Sequence, residues 1–446
     1  MKMKKILVIG AGRSAVTLIK YLLDNAKANN WFVRVADCSE DLAKEAAGNS
    51  ENGKALFFNV IDEKQREKEI SDSDIVISML PSRMHILVAE DCVRLGKNLT
   101  TASYVSKEIL ALDKKAKEAG IILLNEIGLD PGIDHMSAMK VIDEIKENGG
   151  ELTSFKSYCG GLVHPDFDNN PWNYKFTWNP RNVVLAGKGT AQYIKQGKYK
   201  YIPYYKLFER TEQMSILDAG EFEGYANRDS LSYRKAYGLE DIPTLFRGTL
   251  RRKGFCKSWN MFVQLGMTDD TYVVENGENM TYREVTNLFF PFNNELTVEQ
   301  KFCDYLNISI DSEEFIKAKW LGIFSDSKVE IKNASPAQIL QKILEEKWNL
   351  EPKDKDMIVM QHQFEYLQNG ELKKLNSSLL VFGEDPRYTA MAKTVGLPVA
   401  IAAKLILNGA IQSTGVKIPI DKDIYVPILE ELKEHGINFV EEELNV

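Results

Sequence analysis

Residues 5–15 read KILVIGAGRSA, and this stretch decides the fold. KILVI (5–9) is a short apolar run that suits a strand covered on both faces. GAGRSA (10–15) fits G-x-G-x-x-A, and the helical pattern AVTLIKYLLDNAK follows at once. Gly10 allows a tight turn, Gly12 lets backbone approach a pyrophosphate, and Ala15 lets the helix pack close to the sheet. The loop N–H groups around Ala11, Arg13 and Ser14 and the helix dipole then face the phosphates. A lone fingerprint of this kind is weak. Here a second strand, WFVRVAD (31–37), ends in Asp37, which can accept from both ribose hydroxyls of NAD and would repel a 2′-phosphate. Arg13 and Lys44 argue the other way, for NADP.

Outward from this loop, short strands and helices keep alternating. Strand-like runs are LFFNV (56–60), DIVISML (74–80), NLTTAS (98–103) and IILLNEI (121–127), with helical patterns such as 83–96 and 107–120 between them. Alternation predicts a parallel sheet with helices on both faces. Beyond about residue 150 aromatics become dense, as in NNPWNYKFTWNPRNVV (169–184), and alternating strand patterns appear at 151–162 and 357–367. The predicted fold is α/β, with an N-terminal Rossmann domain at 1–130 and a second α+β mixed-sheet domain at 131–386. That second domain would carry a helical part at about 230–350. The tail at 387–446 would supply helices that return to the first domain.

The chain has 446 residues, 44% apolar and 27% charged, with a net charge of −8. An acidic balance argues against a nucleic-acid partner but not against an acidic small molecule, which needs only a local Arg cluster. The five cysteines show no paired spacing, and the five histidines show no HExxH or other ligand spacing. Free thiols and no metal are expected. No stretch approaches the roughly 20 apolar residues of a membrane span, and MKMKKILVIGAGR is too brief in its apolar run for a signal peptide. A soluble cytoplasmic protein is the expectation.

Ligands in open parallel sheets sit beyond the carboxyl ends of the strands. The loops predicted there are Leu80-Pro81-Ser82, Ser103-Tyr104 and NEIGLDPGIDHM (125–136). With SYCGGL (157–162), YANRDS (225–230), FRGTLRRKGF (246–255) and KWLGIFSD (319–326), they closely resemble the saccharopine dehydrogenases of the L-glutamate-forming type. The resemblance spans nearly the whole chain.

It implies a Rossmann domain joined to a substrate and dimerisation domain. It also implies interconversion of saccharopine with L-glutamate and 2-aminoadipate 6-semialdehyde, using NAD or NADP. The lysine-making fungal members use NADP, typically with an Arg beside the end of the second strand. VADCSEDLA (35–43) has no Arg, so NAD is expected here. Oxidation of a secondary amine needs a proton acceptor and acid–base help in splitting the imine. Asp130, ahead of Pro131-Gly132 in the crossing to the second domain, is the first candidate; capping the next helix is its plainer role. Tyr104 and Cys159 match family positions suspected of acid–base or orienting roles, although a small buried hydrophobe is the commonest fate of a free Cys. Arg228 and Arg251 match its substrate-carboxylate grips. Ser103, Thr249 and Leu250 would touch substrate, and Tyr174 either lines the same cleft or only packs. Leu80 and Pro81 would border the cofactor, and the oligomer expected is a homodimer. The nearest rival is a related amine dehydrogenase such as carboxynorspermidine dehydrogenase. A non-catalytic nucleotide-binding sensor on the same fold is the rival of another class.

Overall fold

The structure is a computed structural model that describes residues 3–445. The chain forms two compact units, Met1–Leu152 with Tyr366–Val446, and Thr153–Glu365.

The first unit is built on β1 (Lys4–Ile9), β2 (Trp31–Asp37), β3 (Gly53–Phe57), β4 (Ile75–Ser78), β5 (Asn98–Thr100), β6 (Ile122–Leu124) and β15 (Gly415–Lys417). These seven lie parallel in the order β15-β6-β5-β4-β1-β2-β3. The order reverses between β1 and β4, which makes their carboxyl ends the place for a ligand. Ile6, Leu7, Val8 and Ile9 are buried, as are Ile75, Val76 and Ile77 beside them. Continuous apolar runs are what a sheet covered on both faces requires. The third strand sits three residues earlier than the apolar run LFFNV suggests. Phe57 ends it exposed, and Phe58 turns inward with its N–H on Asp37 O.

Two stretches given to the second domain in the sequence, 131–152 and 366–386, belong to the first unit. The Ile133–Glu147 helix buries Ile133, Met136, Val141 and Ile142 and packs on the Lys422–Glu434 helix. There the Tyr425 hydroxyl donates to Asp143 at 2.6 Å. The Ala390–Leu407 helix lies against Val16–Asn29, and a Cβ added at Gly396 would come within 3.0 Å of Leu18 N. It is the one helix among the described residues long and apolar enough to cross a membrane, but 72% of that span is buried, as in a core helix. β14 (Glu371–Phe382) pairs antiparallel with β16 (Val440–Leu444). Asn369-Gly370, both at positive φ, form the turn that leads into β14.

The second unit holds a mixed sheet. β7 (Glu151–Val163) is followed by β8 (Ala191–Lys195), β9 (Lys198–Ile202), β10 (Thr211–Ser215), β11 (Glu221–Ala226), β12 (Thr244–Arg252) and β13 (Asp356–Gln368). The order is β10-β11-β12-β7-β13, with β12 parallel to β7 and antiparallel to β11. The helical part begins at Phe255 rather than near 230, because TLFRGTLRR (244–252) is a central strand. The aromatic-rich segment near 172 is core. Trp172 and Tyr174 lie 5.3 Å and 5.0 Å, ring centre to ring centre, from Trp348.

Candidate active site

The loop after β1 has two glycines of different kinds. Gly10 has φ +104°, and an added Cβ would stand 2.7 Å from Met79 O, so the fold itself demands glycine there. Gly12 has ordinary φ, and an added Cβ would meet nothing within 4 Å. Nothing in the protein's own packing requires that second glycine, and the open space suits a phosphate. Ala15 is buried with its N–H on Gly12 O, inside the short turn Arg13–Ala15 that opens the Val16–Asn29 helix. Arg13 is exposed and Ser14 half-buried.

Asp37 is tied to this loop. Its Oδ2 accepts from Ala11 N and its Oδ1 from Ser39 N, both at 2.8 Å. A carboxylate keeps further lone pairs for ribose hydroxyls after two such bonds. Glu40 and Asp41 open the next helix, and Lys44 is paired with Glu40 at 2.8 Å. Leu80 and Pro81 follow β4 just past Met79, the residue under Gly10. Together these residues fit a dinucleotide.

The neighbouring loops carry a second polar group. The His85 ring bridges two hydroxyls, Nδ1 to Ser78 Oγ at 2.8 Å and Nε2 to Ser103 Oγ at 2.7 Å. Burial pushes its pKa down to about 4 against a smaller upward pull from the Leu80 backbone, so it is neutral near pH 7. The Ser103 hydroxyl, expected to meet substrate, is engaged with His85. The Tyr104 side chain is 52% exposed, and its hydroxyl donates to Asp130 Oδ1 at 3.4 Å. The Ile133–Glu147 helix has no side-chain cap; Asp134 Oδ1, not Asp130, accepts from Gly132 N, at 2.6 Å. Gly132, at φ +145°, touches the Gly128 backbone so closely that no side chain fits. Glu126 is buried at φ +56°. Its carboxylate reaches Val105 N at 3.0 Å and His135 Nε2 at 2.8 Å.

The second unit presents a buried cation. Arg251, on β12, is 4% exposed, and Nη1 donates to Leu250 O at 2.9 Å. Its guanidinium carbon lies 5.1 Å from the centre of the Tyr174 ring, 5.4 Å from Phe255 and 5.8 Å from Tyr225. Glu223 faces it across the β11–β12 pair but accepts from Cys256 N at 2.6 Å and from Gln213 at 3.3 Å. No carboxylate pairs with Arg251 among the described residues, and its Nε has no partner. The Tyr174 hydroxyl beside it also lacks a partner in hydrogen-bonding geometry, Trp178 standing near but outside it. Burial raises the Tyr174 pKa, with Arg251 opposing, so the phenol stays protonated.

Thr249 donates to Asn227 Oδ1 at 2.6 Å and lies in register with Cys159 on β7. Cys159 is buried. The glycine beside it does not admit a ligand: a Cβ at Gly160 would strike Leu250 at 2.8 Å, so the glycine serves strand packing. The Leu250 side chain is wholly buried there, and its carbonyl serves Arg251. Arg228 is exposed, unlike Arg251. Arg252, next along β12, stacks 4.6 Å over Phe222 and donates to Ala219 O. The bonds of His85 and Glu126 are not legible in the sequence, because their partners come from other elements and no spacing announces them.

The first unit is a doubly wound, Rossmann-type dinucleotide-binding fold, and the second carries a buried arginine that no carboxylate pairs with among the described residues. The family described as saccharopine dehydrogenase NADP binding domain matches residues 6–124, and the saccharopine dehydrogenase C-terminal domain matches 128–437. The chain belongs to the saccharopine dehydrogenase family. It is 35% identical to saccharopine dehydrogenase [NADP(+), L-glutamate-forming] of Schizosaccharomyces pombe, over 99% of both chains. It is 36% identical to the rat mitochondrial alpha-aminoadipic semialdehyde synthase over 98% of this chain, and spans about half of that relative, 47%. The apo saccharopine dehydrogenase (L-Glu forming) of Saccharomyces cerevisiae superimposes with a TM-score of 0.90 at 33% identity, covering 99% of this chain and 100% of that one.

Proposed function

We propose that the protein is an oxidoreductase that interconverts saccharopine and water with L-glutamate and L-2-aminoadipate 6-semialdehyde. The observation that carries this reading is Arg251. A desolvated guanidinium is costly unless paired, and an arginine does not escape by losing its proton. A substrate carboxylate would supply the missing charge and a bidentate acceptor. A polyamine substrate would instead bring cations to a cationic pocket, which disfavours the carboxynorspermidine rival.

When bound, the nicotinamide supplies the hydride acceptor. The protein's part is to take a proton from the secondary amine, so that its lone pair is free while the hydride leaves the adjacent carbon. Water then adds to the resulting C=N bond, and the amine of glutamate leaves with a proton. Asp130 is the group for these transfers, with the Tyr104 hydroxyl against its Oδ1. Cys159, buried beside Thr249, serves as an orienting neighbour. Arg228, exposed on a loop, reaches a further carboxylate of a substrate that has several.

NAD is our choice of cofactor. Asp37, the acids Glu40 and Asp41, and the neutralisation of Lys44 by Glu40 support it. The names of the fungal relatives, which carry NADP(+), stand against it. Five free thiols suit a cytoplasmic setting, and the exposed Tyr199, Tyr201 and Tyr205 suit a homodimer contact. The reading is tested by incubating the protein with saccharopine and oxidised cofactor and identifying the products. Glutamate with an aldehyde in equal amount supports it; unchanged saccharopine under conditions where carboxynorspermidine is consumed overturns it.

A further inference from the structure

We infer that Glu126 is a positioning residue that holds Tyr104 against Asp130. The inference rests on the functional reading above, in which those two groups handle the substrate's protons.

Glu126 straddles Tyr104. Its N–H donates to Ser103 O at 3.0 Å, and its Oε1 accepts from Val105 N at 3.0 Å, so the residues on both sides of Tyr104 are bonded to one residue. Its Oε2 meets His135 Nε2 at 2.8 Å. His135 is fully buried in the first turn of the Ile133–Glu147 helix, at the other end of the loop that carries Asp130. One carboxylate thus joins the Tyr104 loop to the helix that follows Asp130. The backbone of Glu126 sits in the left-handed region at φ +56°, which a non-glycine residue adopts at a cost. That conformation sends one side chain to both partners while its own N–H stays on Ser103.

The arrangement matters because the link it sets is loose. Tyr104 is half exposed and its hydroxyl lies at 3.4 Å from Asp130, the outer limit of a hydrogen bond. The backbone on either side of Tyr104 is held by Glu126. The Ser103 hydroxyl on His85 pins the same loop from the opposite direction. His85 opens the His85–Leu95 helix that follows the Leu80-Pro81 loop, whereas Glu126 is bonded to the helix that follows Asp130.

A double-mutant cycle separates this role from general support of the fold. Turnover of saccharopine is measured for Tyr104→Phe, Glu126→Ala, Glu126→Gln and Tyr104→Phe/Glu126→Ala, with melting temperatures and the pH profile of kcat. If Glu126 acts through Tyr104, Glu126→Ala lowers kcat about tenfold or more with cofactor KM unchanged. It then costs less than about twofold when Tyr104 is already Phe. Glu126→Gln keeps an acceptor for Val105 N and restores kcat to within about threefold. Glu126→Ala should also move the pH profile in the same direction as Tyr104→Phe. Additive losses in the double variant, or a loss that follows only the folded fraction, overturn the inference while leaving the function intact. A Tyr104→Phe protein as fast as the parent overturns the role given to Tyr104, and this inference with it. If Glu126→Ala does not fold, Glu126→Met, which fills the same volume without an acceptor, takes its place in the cycle on the same terms.

Discussion

The Arg251 guanidinium carbon stands 5.1 Å from the centre of the Tyr174 ring, and two polar atoms there, Arg251 Nε and the Tyr174 hydroxyl, are buried without partners. Aromatic faces attract a cation, but by only about 1–2 kcal/mol, less than the several kcal/mol that burying it costs. The aromatic surroundings therefore leave the buried charge of Arg251 unmet, and in the proposed function a substrate carboxylate would satisfy it.

From this it follows that function and stability part company at Arg251. Replacing a buried ion with an apolar side chain of similar length is often neutral or stabilising. The Arg251→Met protein should melt at or above the parent's temperature while its saccharopine KM rises at least about 30-fold, the equivalent of about 2 kcal/mol. Thermal melts and initial rates on the same preparations check both halves. A variant that melts far lower would make Arg251 a structural residue.

The two loop glycines should behave oppositely. Gly12→Ala introduces a Cβ into open space at an ordinary φ. Its stability should stay within about 0.5 kcal/mol of the parent while dinucleotide affinity falls. Gly10→Ala forces a Cβ to 2.7 Å from Met79 O at φ +104°. It should lose about 1–3 kcal/mol of stability before any ligand is added. Denaturant melts with and without cofactor distinguish the two effects.

His85 makes the first unit acid-sensitive. Its folded pKa is about 4, below the ordinary value of 6.5, so unfolding takes up a proton between these limits. The stability associated with the neutral ring is complete above pH 6.5 and is lost as pH falls towards 4. Between pH 7.5 and 5 the loss is about 2 kcal/mol. Denaturation of the parent and of His85→Gln at both pH values should show the variant losing about that much less.

The parts of this molecule that are local in sequence were legible. GAGRSA could be read as a turn into a helix because Gly10 and Ala15 answer to backbone and packing within a few residues. Asp37 could be placed because β2 follows directly. What depended on distant partners was not. The apolar face of Ile133–Glu147 announces burial but not that it packs on residues near 425, so the domain boundary was drawn 22 residues early. β15 is three residues long and joins the sheet from the far end of the chain, too short for any periodicity. TLFRGTLRR alternates weakly, and only its neighbours β11 and β7 make it a central strand. Asp130 and Tyr104 come together from two different loops, a contact no spacing announced, whereas Gly160 accommodates Leu250 rather than a ligand. Arg251 stood out as an arginine; that it pairs with no carboxylate among the described residues could be seen only in three dimensions.

The most direct test follows absorbance at 340 nm with saccharopine and NAD in one cuvette and NADP in another. The account predicts reduced cofactor only where saccharopine is present, and faster with NAD. Reduction with NADP alone would keep the reaction and contradict the part assigned to Asp37. No reduction with either cofactor, and no oxidation of the reduced forms with glutamate and the aldehyde, would contradict the account at its centre.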